Sequence, residues 1–356
     1  MPIYKDEQRG TWFVKVNYTD MFGKRCQKKK RGFRTKREAL EWERAFALKS
    51  AGTTDMLFKD FVDLYIDDVK NRIRPQTLHT KKVYINHHVL PFFSDLKLNE
   101  IEPLHIRKWQ NEYLLQYRTS KGKPLSNGTL NSIQRHLSAI LNYAVKLYNL
   151  PYNPLAKVGY ISIPEDKKML VWTPEDFKRF IKVVDDKMDY CIFNTLYLTG
   201  MRIGETLALQ VKDIDLKNKT ITVNKTAYYI GSKCYINPPK TPKSNRTITI
   251  SNRLVNILDN FIKSLYGVNN DTYVFNISRN YIDKRLRKYI KSVGIAPMSL
   301  HGFRHSHASL LIELGFAPTA IADRLGHENV TTTLNTYSHM FPSKQSEIAD
   351  KLDSLF

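Results

Sequence analysis

At 356 residues with 42% apolar side chains, the chain is long enough for two or three domains with cores of their own, which excludes a disordered tail. Its 56 Lys and Arg against 34 Asp and Glu give a net charge of +22, which points to a polyanionic partner, nucleic acid ahead of an anionic membrane surface. No apolar stretch approaches the ~20 residues a spanning helix needs, and Met1-Pro2-Ile3-Tyr4-Lys5-Asp6 lacks a signal-peptide core, so a cytosolic protein without a membrane role is expected. Cys26, Cys191 and Cys234 are far apart and odd in number, which supports neither a disulfide frame nor a thiolate zinc site.

Alternation in Thr11-Trp12-Phe13-Val14-Lys15-Val16-Asn17-Tyr18 predicts a strand, Phe22-Gly23 a turn, and Lys24 to Phe33 a second strand. That second strand carries Lys24, Arg25, Lys28, Lys29, Lys30 and Arg31. A charge run is ordinarily a solvated face, but one on an aromatic sheet in so basic a chain is expected to contact DNA. A helix follows from Thr35 through Ala39, Leu40, Trp42 and Phe46.

From Thr53 to about Asn153 the pattern is helical. Leu57, Phe58, Phe61, Leu64 and Tyr65 form one apolar stripe, and Leu130, Ile133, Leu137, Ile140, Leu141, Ala144, Val145 and Tyr148 form a longer one, both read as core. In the basic stretch between them, Lys81 and Lys82 are candidates for backbone-phosphate contact, with solvated surface as the alternative. His87-His88 is not a metal pair, because adjacent side chains on a helix point apart. Pro151, Pro154, Gly159 and Pro164 mark a linker up to Trp172. Thr173-Pro174-Glu175-Asp176 then opens a helix, with an N-cap threonine, proline in the first turn and acids beside the dipole. Further on, Thr220-Ile221-Thr222-Val223 and Arg246-Thr247-Ile248-Thr249-Ile250 read as strands flanking an extended Tyr228 to Tyr235 segment, before helices resume.

The residues that can carry chemistry lie in this last region. Taken singly, each has a plain structural reading. Arg202 forms an i,i+3 pair with Glu205, while His301 and Arg304 share a helix face. His305 and His307 form an H-x-H string with no acidic or cysteine partner nearby, so no metal is expected. His327 follows Gly326, and Tyr337 is one of 20 tyrosines. Taken together they change meaning, because two arginines, two histidines and a tyrosine can break a phosphodiester without a metal. Rigid guanidinium forks stabilise the charge that develops on the phosphate oxygens, and the tyrosine serves as nucleophile.

In order and spacing, Thr199-Gly200-Met201-Arg202-Ile203-Gly204-Glu205, His301-Gly302-Phe303-Arg304, Leu325-Gly326-His327 and Thr332-Thr333-Leu334-Asn335-Thr336-Tyr337-Ser338-His339 resemble the tyrosine recombinase (phage integrase) family. The resemblance implies a multidomain α+β protein. Residues 1–52 would be an arm-type DNA-binding domain of three strands plus a helix, 53–155 a helical core-binding domain, and 156–172 a linker. Residues 173–342 would be a mainly helical catalytic domain with a β-hairpin region, and 343–356 a C-terminal tail helix. It also implies roles. Tyr337 would attack the scissile phosphate to give a 3′-phosphotyrosine and a free 5′-hydroxyl, with Arg202 and Arg304 on the non-bridging oxygens. His301 would be the acid/base histidine and His327 a hydrogen-bond donor to the phosphate. Lys240, in Pro239-Lys240-Thr241-Pro242-Lys243-Ser244-Asn245-Arg246, would protonate the leaving oxygen, with Lys243 as the alternative lysine. Glu205 would orient its neighbours.

Such chemistry keeps the bond energy in the covalent intermediate, so no cofactor, ATP or metal is expected. The implied partners are double-stranded DNA at core and arm attachment sites and three further copies of the chain. The tail residues Ile348, Leu352, Leu355 and Phe356 would dock on a neighbouring protomer, or pack on their own domain. Integrases of this kind commonly work with a DNA-bending host factor and an excision factor. A type IB topoisomerase and a non-catalytic DNA-binding regulator are the competing readings.

Overall fold

The computed structural model describes residues 3–7, 10–19, 25–50, 54–163, 169–231, 233–239 and 241–338. Two compact units divide the chain, 1–166 and 167–356. Among the described residues no helix is long and apolar enough to cross a membrane.

The first unit begins with an antiparallel sheet of β1 (Ile3–Asp6), β2 (Thr11–Thr19) and β3 (Arg25–Phe33), in that order across the sheet. Period-two alternation puts Val14 and Val16 on the inner face, where they are buried against Ala39 with Trp12, Phe33, Trp42 and Phe46 packed around them. The helix that supplies this cover is α1 (Lys36–Ser50). Thr35 opens it, as expected, by accepting from the Glu38 amide at 3.1 Å, while Glu38 accepts from the Arg34 amide at 2.9 Å. Strand β1 is too short, at four residues, to show a period of its own, and is held by pairing Ile3 with Val14.

The same unit continues with α2 (Phe58–Val69), α3 (Pro75–Tyr84), α4 (Leu90–Phe93), α5 (Pro103–Lys108), α6 (Asn127–Leu147) and α7 (Pro154–Val158). Both predicted stripes supply the core: Phe58, Phe61 and Tyr65 from α2 meet Leu130, Ile133, Leu137, Ile140, Leu141 and Ala144 from α6. Two wide π turns, Ile85–Val89 and Trp109–Leu114, interrupt the helices. They lock together, since the His88 carbonyl accepts from Trp109 Nε1 at 2.9 Å and the His87 carbonyl from the Tyr113 hydroxyl at 2.8 Å. His88 is buried and His87 exposed, as adjacent helical positions require. The chain after α7 is tied back onto the bundle by side-chain amides. Gln110 donates to the Gly159 carbonyl at 2.8 Å, and Gln134 accepts from the Ile161 amide at 2.8 Å. Asn127 donates to the Ile163 carbonyl at 2.9 Å.

The second unit opens with Trp172, buried in its core, and α8 (Pro174–Lys182), capped by Thr173 as the sequence predicts, with Asp176 completing a capping box. Helix α9 (Lys187–Thr199) runs through the centre with Cys191, Ile192, Phe193 and Leu196 fully buried. Then come α10 (Ile203–Leu207), β4 (Ile214–Asp215), β5 (Thr220–Val223), β6 (Thr226–Ile230), β7 (Lys233–Asn237) and β8 (Arg246–Thr249). The two strands read as flanking the extended segment pair with each other, Thr220 with Thr249 through Val223 with Arg246, and β6 and β7 form a hairpin between them. Helices α11 (Asn252–Lys263), α12 (Arg279–Val293), α13 (Gly302–Glu313), α14 (Pro318–Leu325) and α15 (Val330–Tyr337) complete the unit. An aromatic cluster of Trp172, Phe177, Phe180, Phe193, Tyr289 and Phe303 joins α8, α9, α12 and the start of α13. That cluster fixes the helix carrying His301 and Arg304 against the one that leads into Arg202.

Candidate active site

Arg202 sits at the N-cap of α10, where chain leaving the left-handed Gly200 turns into the next helix. Only glycine fits position 200: φ is +68°, and a Cβ would lie 2.6 Å from both His307 and Leu325 side-chain atoms. Glu205, one turn on, accepts from the Arg202 amide at 2.9 Å and from Arg202 Nη1 at 2.8 Å. Its carboxylate also meets Arg246, with Nη2 at 2.9 Å from Oε2 and Nη1 at 3.3 Å from Oε1. Burial pushes the Glu205 carboxyl up, but Arg246 and Arg202 more than offset it and hold the group below the usual carboxylate range. Arg246 is held in turn, since its Nε donates to the Arg324 carbonyl at 2.9 Å and its side chain packs on Gly326. Glu205 is therefore a clamp between two guanidinium groups, and one of them, Arg202, keeps a side chain 39% exposed.

Arg304 is 2% exposed and fastened to the backbone, with Nη1 3.0 Å from the Gly200 carbonyl and Nη2 2.7 Å from that of Leu325. Burial, then Arg202, pull it down to about 9, which leaves it cationic at neutral pH. His327 follows the αL cap Gly326 of α14, and its Nδ1 meets the Thr333 hydroxyl at 2.7 Å. Burial, then Arg304, Arg202, Arg246 and His301, bring His327 down to about 4. His301, at the N-cap of α13, is likewise lowered to about 4 by burial, then by His305, Arg304 and Arg202. These groups feel one another's charge because α10, α13 and the α14 cap converge, which the sequence shows only as scattered motifs.

Tyr337, the last residue of α15, is 1% exposed and packs with Ala308, Ile312, Ile321 and Leu325. Its hydroxyl lies 2.8 Å from Nδ1 of His305. Burial pushes the phenol up to about 12 against the opposing pull of Arg304. The H-x-H string thus splits. His307 turns away from the tyrosine, with Nδ1 2.8 Å from the Tyr197 carbonyl and Nε2 accepting from Arg324 Nε at 3.0 Å, which requires the neutral Nδ1–H tautomer. Among the described residues no group of three His, Cys, Asp or Glu side chains is placed to hold a metal ion.

Lys240 lies outside the described residues. Around it, Lys233 and Lys243 are exposed, whereas Lys225 is committed to a buried pair with Asp213 at 2.6 Å. The turn after Lys240 is ordered: Thr241 and Ser244 hydroxyls meet at 2.9 Å, and Arg246 Nη1 donates to the Ser244 carbonyl at 3.2 Å.

Of the candidate DNA-contacting residues, Lys24 and the side chain of Arg25 lie outside the described residues, as does the tail 343–356 expected to dock on a protomer. On β3 the remaining cations alternate between faces. Lys28 lies over Phe46 and Lys30 over Trp42, on the α1 side. Lys29 and Arg31 lie over Phe13 on the open face, where Lys15 pairs opposite Lys29 and Gln27 donates to Asn17 at 2.9 Å. In the helical bundle Lys81 is 8% exposed, with Nζ 2.8 Å from the Tyr65 hydroxyl, while Lys82 is exposed.

Sequence reading passed over two residues of this site. Arg246 shares the buried face of β8 with Ile248, and an arginine alternating with core residues is a signal that a buried carboxylate awaits it. His305 gives no such signal, because its partner is 32 residues away and reached only through the packing of α15.

The description "Phage integrase family" matches residues 171–344, "Phage integrase, N-terminal SAM-like domain" residues 57–114, and "Arm DNA-binding domain" residues 2–50. The chain is 32% identical over 343 residues to the ICEBs1 integrase of Bacillus subtilis, with 90% of each chain covered. Among solved structures it is similar in fold to the Tn1549 transposon integrase in complex with transposon right end DNA, with a TM-score of 0.67 at 20% identity over 83% of this chain and 99% of that one. A lambda integrase tetramer bound to a Holliday junction is similar with a TM-score of 0.60 at 16% identity over 93% and 96%.

Proposed function

Since the chain belongs to the phage integrase family and is a tyrosine recombinase, we propose that Arg202, Arg304, His301, His327 and Tyr337 form its strand-cutting centre, acting at the ends of a mobile element. The observation that carries this reading is the convergence of two anchored guanidinium groups, Arg202 on Glu205 and Arg304 on two backbone carbonyls, beside a tyrosine hydroxyl. Guanidinium groups fixed before the substrate arrives spend no free energy on reorganisation as charge builds on the phosphate. Tyr337 attacks phosphorus, the 3′-phosphotyrosine forms, and the 5′-hydroxyl of a second strand later reverses the step. His327 engages Thr333 through Nδ1, so its Nε2 is the nitrogen that serves the phosphate. Glu205 and Arg246 carry no proton in this scheme and hold Arg202 in place. Lys240 supplies the proton for the leaving oxygen, with Lys243 as the alternative.

The finer assignments follow the family resemblance. We extend to this chain a tetramer on DNA joined through residues 343–356. The open face of the N-terminal sheet, with Lys29 and Arg31, would contact arm sites, and Lys82 would contact core-site phosphates. The chain would act in the cytoplasm, with a DNA-bending host factor and an excision factor as partners. The test is to mix wild type and Tyr337→Phe with duplexes spanning the element's junctions and with an unrelated supercoiled plasmid, quenching with detergent. Covalent adduct on junction DNA in wild type alone is the expected result. Relaxation of the unrelated plasmid would indicate a topoisomerase, and binding without adduct on any DNA would indicate a regulator.

A further inference from the structure

A buried phenol cannot attack phosphorus until something removes its proton, and bulk water has little access to a residue 1% exposed. Among the described residues, the hydrogen bond of the Tyr337 hydroxyl goes to Nδ1 of His305, at 2.8 Å. His301, the histidine that the family resemblance makes the acid/base, meets His305 edge-on with ring centroids 4.8 Å apart. The three rings thus form a row in which His305 stands between His301 and the nucleophile.

We propose that His305 is a catalytic residue that takes the Tyr337 hydroxyl proton as the strand is cut and returns it as the strand is resealed. The proposal rests on the reading of Tyr337 as nucleophile. A neutral imidazole with its hydrogen on Nε2 offers a lone pair at Nδ1. As Tyr337 Oη bonds to phosphorus, its proton moves to Nδ1 and leaves an imidazolium. The P–O5′ bond breaks, and the 5′-oxygen takes its proton from a separate acid on the leaving side, the place given above to Lys240. On resealing, the 5′-hydroxyl returns that proton, its oxygen attacks phosphorus, the P–Oη bond breaks, and Oη recovers its proton from His305.

Among the described residues, the charged and titratable groups facing the ring are Arg304 on α13, His301 at its N-cap and Tyr337 on α15. Burial, then Arg304, hold His305 below the usual histidine range, so it is neutral and able to accept at neutral pH. The arriving phosphate raises its basicity, because negative charge nearby favours the protonated ring.

The test separates the two sides of the reaction with a junction duplex in which sulfur replaces the bridging 5′-oxygen at the scissile phosphate, since a thiolate leaves without a proton. Single-turnover cleavage is followed for wild type, His305→Ala, His305→Asn and Lys240→Ala on oxygen and sulfur substrates. His305→Asn keeps an acceptor close to the Nδ1 position but cannot carry the proton. Both His305 variants should lose on the order of 10²-fold in rate on both substrates. Above neutral pH their rates should climb about tenfold per unit as phenolate forms unaided, while wild type stays level. His305→Asn at the wild-type rate would reduce the contact to positioning and overturn the proposal, as would recovery of the His305 variants on sulfur. Should both variants unfold, the wild-type profile on sulfur still decides. A plateau that falls off in acid supports a base, and a steady tenfold rise per unit through neutral pH overturns it. Wild type that forms no adduct with either duplex would instead defeat the reading of Tyr337 itself.

Discussion

Both units of this molecule concentrate positive charge, on opposite terms. In the second unit Arg202, Arg246, Arg304 and Arg324 are each tied to Glu205, to a backbone carbonyl or to both. In the first, Lys28, Lys29, Lys30 and Arg31 are exposed and lie across aromatic rings. Planar guanidinium held by carbonyls keeps one geometry, which suits charge stabilisation at a reacting phosphate. Exposed ammonium groups on flexible stems gain little from any single contact and act through summed, salt-sensitive attraction. On the proposed function, the anchored cations suit a reacting centre in one unit and the exposed ones a binding face in the other.

The contrast is broken most severely at the proposed nucleophile. Tyr337→Phe removes one oxygen and should abolish covalent adduct while leaving DNA affinity within about twofold in gel-shift titration, because neither class of cation is touched. Next comes the clamp. Arg246→Ala strips Glu205 of a buried partner and should destabilise the second unit by about 3 kcal/mol in urea unfolding, with strand cleavage falling alongside as Arg202 loses its fixed acid. Arg246→Lys, which restores charge without the bidentate fork, should recover stability better than activity.

Binding effects are smaller and divide by face. Exchanging Lys29 and Arg31 for alanine should weaken arm-site DNA and lower the slope of log affinity against log salt by about 1 per residue. The same exchange at Lys28 and Lys30, on the α1 side, should change the slope less. Equal losses from both pairs would end the distinction between faces.

The mildest effect is on protons. Without DNA, His301 and His327 stand at about 4, so both are neutral at pH 7. A phosphate held by both, as proposed above, would raise both values, so binding should take up protons. Affinity should therefore be greatest at low pH and fall as pH rises through the raised values of the complex. Calorimetric titration in two buffers of different ionisation enthalpy should register that uptake, and His301→Ala should reduce it.

Much of this was legible in the chain itself, for reasons that differ by element. The stripe in α6 and the cap Thr173-Pro174-Glu175-Asp176 are local, so period and cap chemistry carry them to the observed helices. Strands β5 and β8 were visible by alternation, but their pairing with each other was not, since register is set by contacts 20 or more residues apart. Strand β1 is too short to show a period, and the π turns at Ile85–Val89 and Trp109–Leu114 keep helical composition while shifting the ladder. In the site, motif spacing identified Arg202, His301, Arg304, His327 and Tyr337 as candidates. It could not reveal that Lys81 turns onto Tyr65, or that His305 and His307, two residues apart, meet the Tyr337 hydroxyl and the Arg324 guanidinium respectively.

The central assignment is that the anchored cations of the second unit serve a phosphoryl transfer to Tyr337. Its most direct measurement is mass spectrometry of the peptide released by protease and nuclease from trapped protein–DNA adduct. A nucleotide esterified through its 3′-phosphate to Tyr337 is the predicted result. Attachment to any other side chain, or through a 5′-phosphate, would contradict it.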